Sequence, residues 1–370
     1  MPMREILHLR SSQGLYGADH VVLTLAQATA SPFRPVIVPL VRAGRGDALG
    51  DAARERNLEV APLSSRGRTD LATARALSAI LRARGTSLIH AHDYKSLSVA
   101  ALAGMLSRTP VVATFHGDTR TSVKVRAYEA FARLLANSVA GVAAVSQSLA
   151  GVLRTWAPLG RVVHVPNGIV AGGESSEAER AEARASFGID GSEKVIAVVG
   201  RLSPEKGHGV LIDALRLSPL APVVLVAGDG ALRTQWEEAS HVRAKLLGFR
   251  RDVRSVYAAC DVLVIPSLRE GLPLVALEAM AAGRPVLASA VGELPEVLGG
   301  GAGRVVPPGD AAALAAALAE LFADEEARLA MGRAASRRVM ERYSAGAMAR
   351  TYAELLYEPA LSRSRRSPHG

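Results

Sequence analysis

Val195-Ile-Ala-Val-Val-Gly-Arg-Leu-Ser-Pro-Glu-Lys-Gly207 decides how this chain is read. The apolar run Val195 to Val199 ends in a glycine, and two cations, Arg201 and Lys206, follow directly. A short β-branched run closed by glycine and followed by a helix start is the pattern of a buried parallel strand entering its crossover. Cations at such a place suit a diphosphate. Arg201 offers a planar fork that grips two oxygens, and Lys206 a point charge on a flexible stem that can follow a phosphate. Arginine is the default cation here: of 44 basic residues only Lys95, Lys124, Lys194, Lys206 and Lys245 are lysine, so composition alone did not place Lys206. By itself the octapeptide Gly200 to Gly207 also suits a solvated strand-to-helix loop, and its surroundings must decide.

Working outward, short β-branched runs alternate with helix-length segments throughout, which predicts parallel sheets with crossover helices. Before position 168 the expected strands are 6–9, 36–40, 58–63, 87–91, 111–115, 141–145 and 162–165; after it they are 195–199, 223–227, 245–247, 262–265, 286–288 and 304–306. Between the two sets lies Val165-Pro-Asn-Gly168, then the polar stretch Ala171-Gly-Gly-Glu-Ser-Ser-Glu177, which reads as a linker. The expected domains are therefore 1–168 and 169–344, both Rossmann-like. A C-terminal helix, about 345–360, is expected to pack back onto the first, and the basic tail 361–370 to be disordered.

Bulk properties agree with two globular domains. At 370 residues the chain exceeds what one core usually supports, and 49% of it is apolar with only 4% aromatic, so the cores are built of Ala, Val and Leu. The lone cysteine, Cys260, permits no internal disulfide and reads as a buried small residue in a reducing compartment. No apolar run reaches the roughly 18 residues a membrane span needs, and the first residues lack the apolar centre of a signal peptide. A cytoplasmic location is expected. The charge is uneven: residues 1–168 carry a balance of +10 and residues 169–370 one of −1. An anionic partner on the first half is expected from such asymmetry. Nucleic acid is one candidate for that partner, disfavoured by the want of a recognised binding module or interleaved aromatics for stacking, and a salt-dependent oligonucleotide shift would revive it. An anionic membrane fits better.

The other chemistry-bearing residues also follow strands. After the run ending at Ile265 comes Pro266-Ser-Leu-Arg-Glu270-Gly271-Leu272-Pro273, then Leu-Val-Ala-Leu-Glu278. Pro273 suits the first turn of a helix, where its missing N–H costs nothing and whose amides and dipole favour an anion. Glu270 in the loop and Glu278 within the helix would reach different depths along one ligand, and carboxylates accept hydrogen bonds from sugar hydroxyls. Two histidines, His90 and His92, end another strand beside Asp93. They lack a third ligand at metal spacing, which argues against a metal.

The run Gly200 to His208, with Gly228-Asp-Gly230, Leu247-Gly-Phe249 and Glu270-Gly-Leu-Pro…Glu278-Ala-Met, resembles glycosyltransferase family 4 over nearly the whole chain. That resemblance implies the GT-B fold, two facing Rossmann-like domains with a deep cleft between them. It implies a retaining, nucleotide-sugar-dependent enzyme, with a UDP- or GDP-linked donor held by the C-terminal domain. Arg201 and Lys206 would bind the diphosphate, Glu278 the ribose, Glu270 with Gly271 and Leu272 the transferred sugar, and His116 of Thr114-Phe-His-Gly117 would sit near the reaction centre. Gly14-Leu-Tyr-Gly17-Ala-Asp19 is similar to the family's glycine-rich loop, but Tyr16 and Asp19 stand where a glycine and a glutamate are usual, so Gly17 alone is carried over. His92 and Asp93 resemble its acceptor-side segment. Glu293 stands where a second glycine is common, which leaves the shape of the nucleotide pocket open.

A metal-independent reaction is expected, since the chain contains no Asp-x-Asp segment. Fixed cations can take the ion's place, because charge on the departing diphosphate is greatest in the transition state. A retaining glycosidase would employ a carboxylate nucleophile. The resemblance implies attack on the same face assisted by the leaving phosphate instead. The expected acceptor is a lipid-linked or cell-envelope glycan, with Arg66 and Arg68 in a basic loop near it. Residues 121–135 carry an apolar stripe, Val123, Ala127, Phe131 and Leu134, flanked by cations, a pattern that suits either a helix lying on anionic lipid or an ordinary surface helix. A nucleotide-sugar epimerase of the same fold and a non-catalytic nucleotide-sugar-binding protein remain as alternatives. Need for an acceptor separates the first, and absence of any turnover the second.

Overall fold

The structure is a computed structural model. It describes residues 3–11, 14–42, 46–65, 71–116, 135, 137–158, 160–170 and 172–365. The chain divides into two compact units, Met1–Gly168 with Ala345–Gly370, and Ile169–Ser344.

The first unit is built on eight parallel strands: β1 (Arg4–Arg10), β2 (Phe33–Arg42), β3 (Glu59–Val60), β4 (Leu63–Ser65), β5 (Leu88–Ala91), β6 (Val111–Phe115), β7 (Gly141–Ala144) and β8 (Val162–His164). They run in the order β3-β2-β1-β5-β6-β7-β8, with β4 also on β2. A single strand over 58–63 was expected, but two form. Pro62 has no N–H to give to the ladder, so pairing with β2 stops at Val60 and resumes at Leu63. Strand interiors such as Ile6, Leu7, Leu9, Val36, Ile37 and Ile89 are fully buried, as parallel strands covered on both faces must be.

The second unit holds β9 (Val195–Val199), β10 (Val223–Ala227), β11 (Arg243–Gly248), β12 (Val262–Ile265), β13 (Val286–Ser289) and β14 (Gly303–Val306). Their order, β11-β10-β9-β12-β13-β14, reverses direction between β9 and β12. This is the doubly wound Rossmann order, and the reversal marks where a ligand crevice opens. In the first unit the corresponding reversal lies between β1 and β5.

The polar stretch after Gly168 is recruited into structure: Ser176 caps the helix Glu177–Ser186, accepting from the Glu179 amide while the Glu179 carboxylate accepts from Ser176. Asp261 fastens that helix to the sheet. It takes Arg180 on one oxygen, and Arg184 at 3.1 Å and the Val195 amide at 2.8 Å on the other. Cys260 beside it is fully buried, and burial pushes its thiol up to about 12, so it is inert.

The chain's last helical segments pack within the first unit. Tyr352 and Tyr357 are buried there, and the helix Glu358–Arg365 continues into the stretch expected to be a disordered tail. Tyr357 donates its weight to this anchoring by an edge contact with Phe33, ring centroids 5.6 Å apart. No described helix is long and apolar enough to cross a membrane. Arg66, Arg68 and residues 117–134 of the basic amphipathic stretch lie outside the described residues.

Candidate active site

The cations singled out in the second unit stand at the reversal of strand order. After β9 the chain turns through Gly200 and Arg201 into a single 3-10 turn, Pro204–Lys206, before the helix His208–Leu217. Gly207 joins the two with φ +67°, and a Cβ there would lie 1.9 Å from the Pro266 carbonyl oxygen. The loops after β9 and β12 are therefore in backbone contact. They are tied further by the Leu268 amide, which donates to the Glu205 carbonyl at 2.9 Å.

This contact brings Lys206 to Glu270. The Lys206 ammonium donates to Glu270 Oε1 at 2.5 Å, and Ser267 donates to the same oxygen at 2.9 Å. Gly200, Lys206, His208, Pro266, Ser267 and Glu270 line one recess at these strand ends. Arg201 is exposed, and its side chain makes no hydrogen bond among the described residues. Its backbone is fixed from below: the Trp236 indole donates to His208 Nδ1 at 3.3 Å, which leaves the proton on Nε2 to be given to the Arg201 carbonyl at 3.0 Å. His208 is the last residue of the quoted motif, yet this supporting role was not foreseen, because its partner Trp236 comes from a helix far along the chain.

Glu278 lies in the helix Leu274–Ala281 and accepts from the Tyr257 hydroxyl at 2.8 Å. Burial raises the carboxyl above its ordinary value and the tyrosine bond opposes that rise. Pro273 stands immediately before the first turn of that helix. With ψ 125° it is the N-cap, and the helix begins at Leu274. The Leu272 side chain is in the core, so only its backbone is available to a ligand, while the Gly271 carbonyl accepts the Glu293 amide at 2.9 Å. Glu293 has φ −88° and ψ −3°, which any residue adopts. The left-handed position is its neighbour Gly292, φ +56°, where a Cβ would lie 2.2 Å from the Gly271 carbonyl oxygen. A second glycine at 293 is thus not needed for the turn.

In the first unit the residues gather where β1, β5 and β6 end. Gly17 opens the helix Gly17–Ala28, and the space a Cβ would enter is empty. Asp19 is buried, accepting from the Tyr16 amide and from Arg10, each at 2.9 Å. Arg10 also donates to the His92 carbonyl at 2.8 Å, so it binds three elements together. Asp93 is occupied on both oxygens, by the Ser11 amide at 2.7 Å and, as a helix cap, by the Ser96 amide at 2.8 Å. His92 is 1% exposed. A direct acceptor contact from its ring, expected from the sequence, has no exposed atom to make it.

His116, partly exposed, follows β6, and its Nε2 lies 3.4 Å from His92 Nδ1. Burial and the neighbouring Arg10 cation lower the His116 ring to about 3. The third histidine that the sequence did not offer is supplied by β1: His8 stands directly opposite His90 in the ladder, and His8, His90 and His92 each place a ring nitrogen within 4.8 Å of the others. Both nitrogens of His90 are already engaged, one with the Tyr357 hydroxyl at 2.9 Å and one with Thr114 at 2.7 Å. A metal could be ligated by His90 only at the cost of one of those bonds, so the donor set as folded does not suit an ion.

Two family models account for most of the chain: "Glycosyl transferases group 1" over residues 179–338 and "Glycosyltransferase Family 4" over residues 16–171. Among curated proteins, the D-inositol 3-phosphate glycosyltransferase of Corynebacterium jeikeium is 31% identical over 331 residues, covering 79% of this chain and 78% of that protein. The phosphatidyl-myo-inositol mannosyltransferase of Mycolicibacterium smegmatis is 34% identical over 267 residues, 68% and 66% respectively. Among solved structures, Anabaena HepE in complex with UDP superposes with a TM-score of 0.83 at 24% identity, over 96% of this chain and all of that one. With the two doubly wound sheets and the cation loop at the second reversal, these likenesses show that the chain belongs to glycosyltransferase family 4 and is a nucleotide-sugar-dependent glycosyltransferase of GT-B fold.

Proposed function

We propose that the protein transfers a sugar from a UDP- or GDP-linked donor to a lipid-linked or cell-envelope glycan, with retention at the anomeric carbon and without a metal ion. One observation carries the reading: Lys206 and Glu270 form an ion pair at the strand ends flanking the reversal, with Arg201 exposed beside them. Arg201 and Lys206 grip the diphosphate, and the Glu278 carboxylate accepts the ribose hydroxyls. Glu270, with the backbone of Gly271 and Leu272, orients the transferred sugar. Before the donor arrives, Lys206 is held by Glu270, so the cation is kept ordered. As the glycosidic bond breaks, negative charge collects on the departing phosphate, and the two cations stabilise it most where it is greatest. His116, with Gly17 at the opening of the first helix, belongs to the acceptor-bearing unit.

A lipid-linked acceptor is supported by the phosphatidyl-inositol name of one curated relative and by the positive first half of the chain; the inositol 3-phosphate in the other relative's name is a soluble anion, which fits the positive charge alone. Action at the inner face of the cytoplasmic membrane follows, through basic surface on that half. The test is a screen of UDP- and GDP-sugars with extracted envelope lipids, read by mass spectrometry and by the anomeric coupling of the product. Transfer that survives chelator with an unchanged anomer is expected. Transfer abolished by chelator, or an inverted product, overturns the mechanism, and turnover that needs no acceptor favours an epimerase.

A further inference from the structure

Four buried or half-buried histidines of the first unit form two separate hydrogen-bonded strings. His90 belongs to a closed one, running from the Tyr357 hydroxyl through its ring to Thr114 and on to the Tyr352 hydroxyl at 3.0 Å. The other is open at both ends. His8 Nδ1 lies 3.0 Å from His92 Nε2, and His92 Nδ1 lies 3.4 Å from His116 Nε2. The successive rings are near parallel, 15° and 29° apart. The end atoms, His8 Nε2 and His116 Nδ1, are buried and have no hydrogen-bond partner among the described residues.

Such a string has only two proton arrangements. A neutral imidazole donates through one nitrogen and accepts through the other, so His92, engaged on both, forces every N–H to point the same way. Either the protons point from His8 toward His116, leaving a bare nitrogen on His8 and an N–H at His116 Nδ1, or all are reversed. Interiors tolerate an unpaired acceptor better than an unpaired N–H. His8 is the deep end, fully buried in a strand paired on both sides, with nothing to receive a proton from Nε2. His116 is the end at which β6 stops, and as a residue it is only half-buried, so its Nδ1, covered as folded, is the end that solvent or a ligand reaches with the smaller displacement. The Arg10 cation, held between Asp19 and the His92 carbonyl, opposes an extra proton on the string.

We propose that His92, oriented by His8, is a positioning residue that locks His116 as the Nδ1–H tautomer, so that His116 stands as a neutral hydrogen-bond donor and not as a base. The atom that such a donor suits, once Nδ1 is uncovered, is one that only accepts, a phosphate oxygen or the ring oxygen of a sugar. The catalytic consequence rests on the functional reading above; the tautomer does not.

The full chain labelled with 15N at histidine answers the question through long-range proton–nitrogen correlations, which separate protonated from bare ring nitrogens. At neutral pH His8, His92 and His116 should each carry the proton on Nδ1, and a proton on His116 Nε2 overturns the proposal. Replacing His92 tests the coupling. His92→Leu fills the space without polar atoms, and it should lower kcat about 100-fold while donor KM stays within about threefold, as expected for a misplaced reacting group. His116 should then show both tautomers. His92→Gln keeps a donor toward His116 and an acceptor toward His8; it should restore the Nδ1–H signal and recover at least about tenfold of the lost kcat. Unchanged kcat in His92→Leu, or no recovery in His92→Gln once the tautomer is restored, defeats the positioning role.

Should His92→Leu not fold, His8→Phe poses the same question from the deep end, and a single unchanged His116 tautomer there overturns the proposal. So does an equivalent of zinc retained by the purified chain and lost on His8→Phe, because a metal on these nitrogens leaves no proton string. If the unaltered protein transfers no sugar from any donor, the functional reading fails, while the nitrogen spectrum still decides the string.

Discussion

At the scale of single residues, the chemistry turns on charges that are held but not neutralised. Lys206 is half-buried, bonded to Glu270, and follows the same strand end as the exposed Arg201. Lys206→Ala removes the point charge and should leave the protein folded at some cost in stability, since Glu270, 11% exposed, then keeps only the Ser267 hydroxyl. Turnover should fall by about 10²- to 10³-fold, the usual loss on removing one stabiliser of transition-state charge, while a cooperative melt shows that the protein still folds. Near-normal kcat in Lys206→Ala would remove Lys206 from the donor site. Glu278 behaves differently because it is deeper, and its tyrosine partner holds it in one direction. Glu278→Gln should weaken donor binding about tenfold, measured calorimetrically with UDP and GDP, by loss of a charge-assisted bond.

At the scale of elements, the site exists because two loops touch. Gly207 makes that contact, and Gly292 after β13 makes a second one with the Gly271 carbonyl of the same glutamate loop, each in the left-handed region with a carbonyl where a side chain would begin. Gly207→Ala forces the Pro266 carbonyl away and strains φ, so both loops move together. A loss of about 1–3 kcal/mol in urea unfolding is expected, together with loss of donor binding, since the Lys206–Glu270 pair depends on the same contact. Stability lost without binding lost would show that the loops are not coupled. The sequence marks the cation loop and the glutamate loop separately, because each follows its own apolar run. Their contact was not legible, since a glycine pressed against a carbonyl from another strand end leaves no trace in local pattern. The same holds for Trp236 under His208.

At the scale of the whole molecule, the two units carry their polar interiors differently. The second buries an ion-paired cluster around Asp261; the first buries ion pairs at Asp19 and Glu5 and, in addition, a cluster of neutral histidines. Burial holds His8 near 3, and burial with the Arg10 cation does the same for His116, whereas in the unfolded chain both would protonate near the ordinary value of 6.5. Between these values the unfolded state binds more protons, so stability rises with pH across the window. The contribution is complete above about pH 6.5 and is lost as pH falls toward 3, with a slope of up to about 1.4 kcal/mol per pH unit for each ring. Urea midpoints recorded from pH 8 down to 5 should decline below about 6.5, before carboxylates titrate, and His8→Phe should flatten the decline. A midpoint constant over that range would contradict the buried neutral string.

The fold class, the alternation of strands and helices and the cation-bearing motif were determined by the sequence alone, because hydrophobic period, turn residues and strand-end chemistry are local properties. Pro62 splitting one strand, the helix running on to Arg365, and above all the three-histidine string were decided only in three dimensions. His8, His92 and His116 come from three strands distant in sequence, and only the register of a parallel sheet sets their rings within hydrogen-bonding reach.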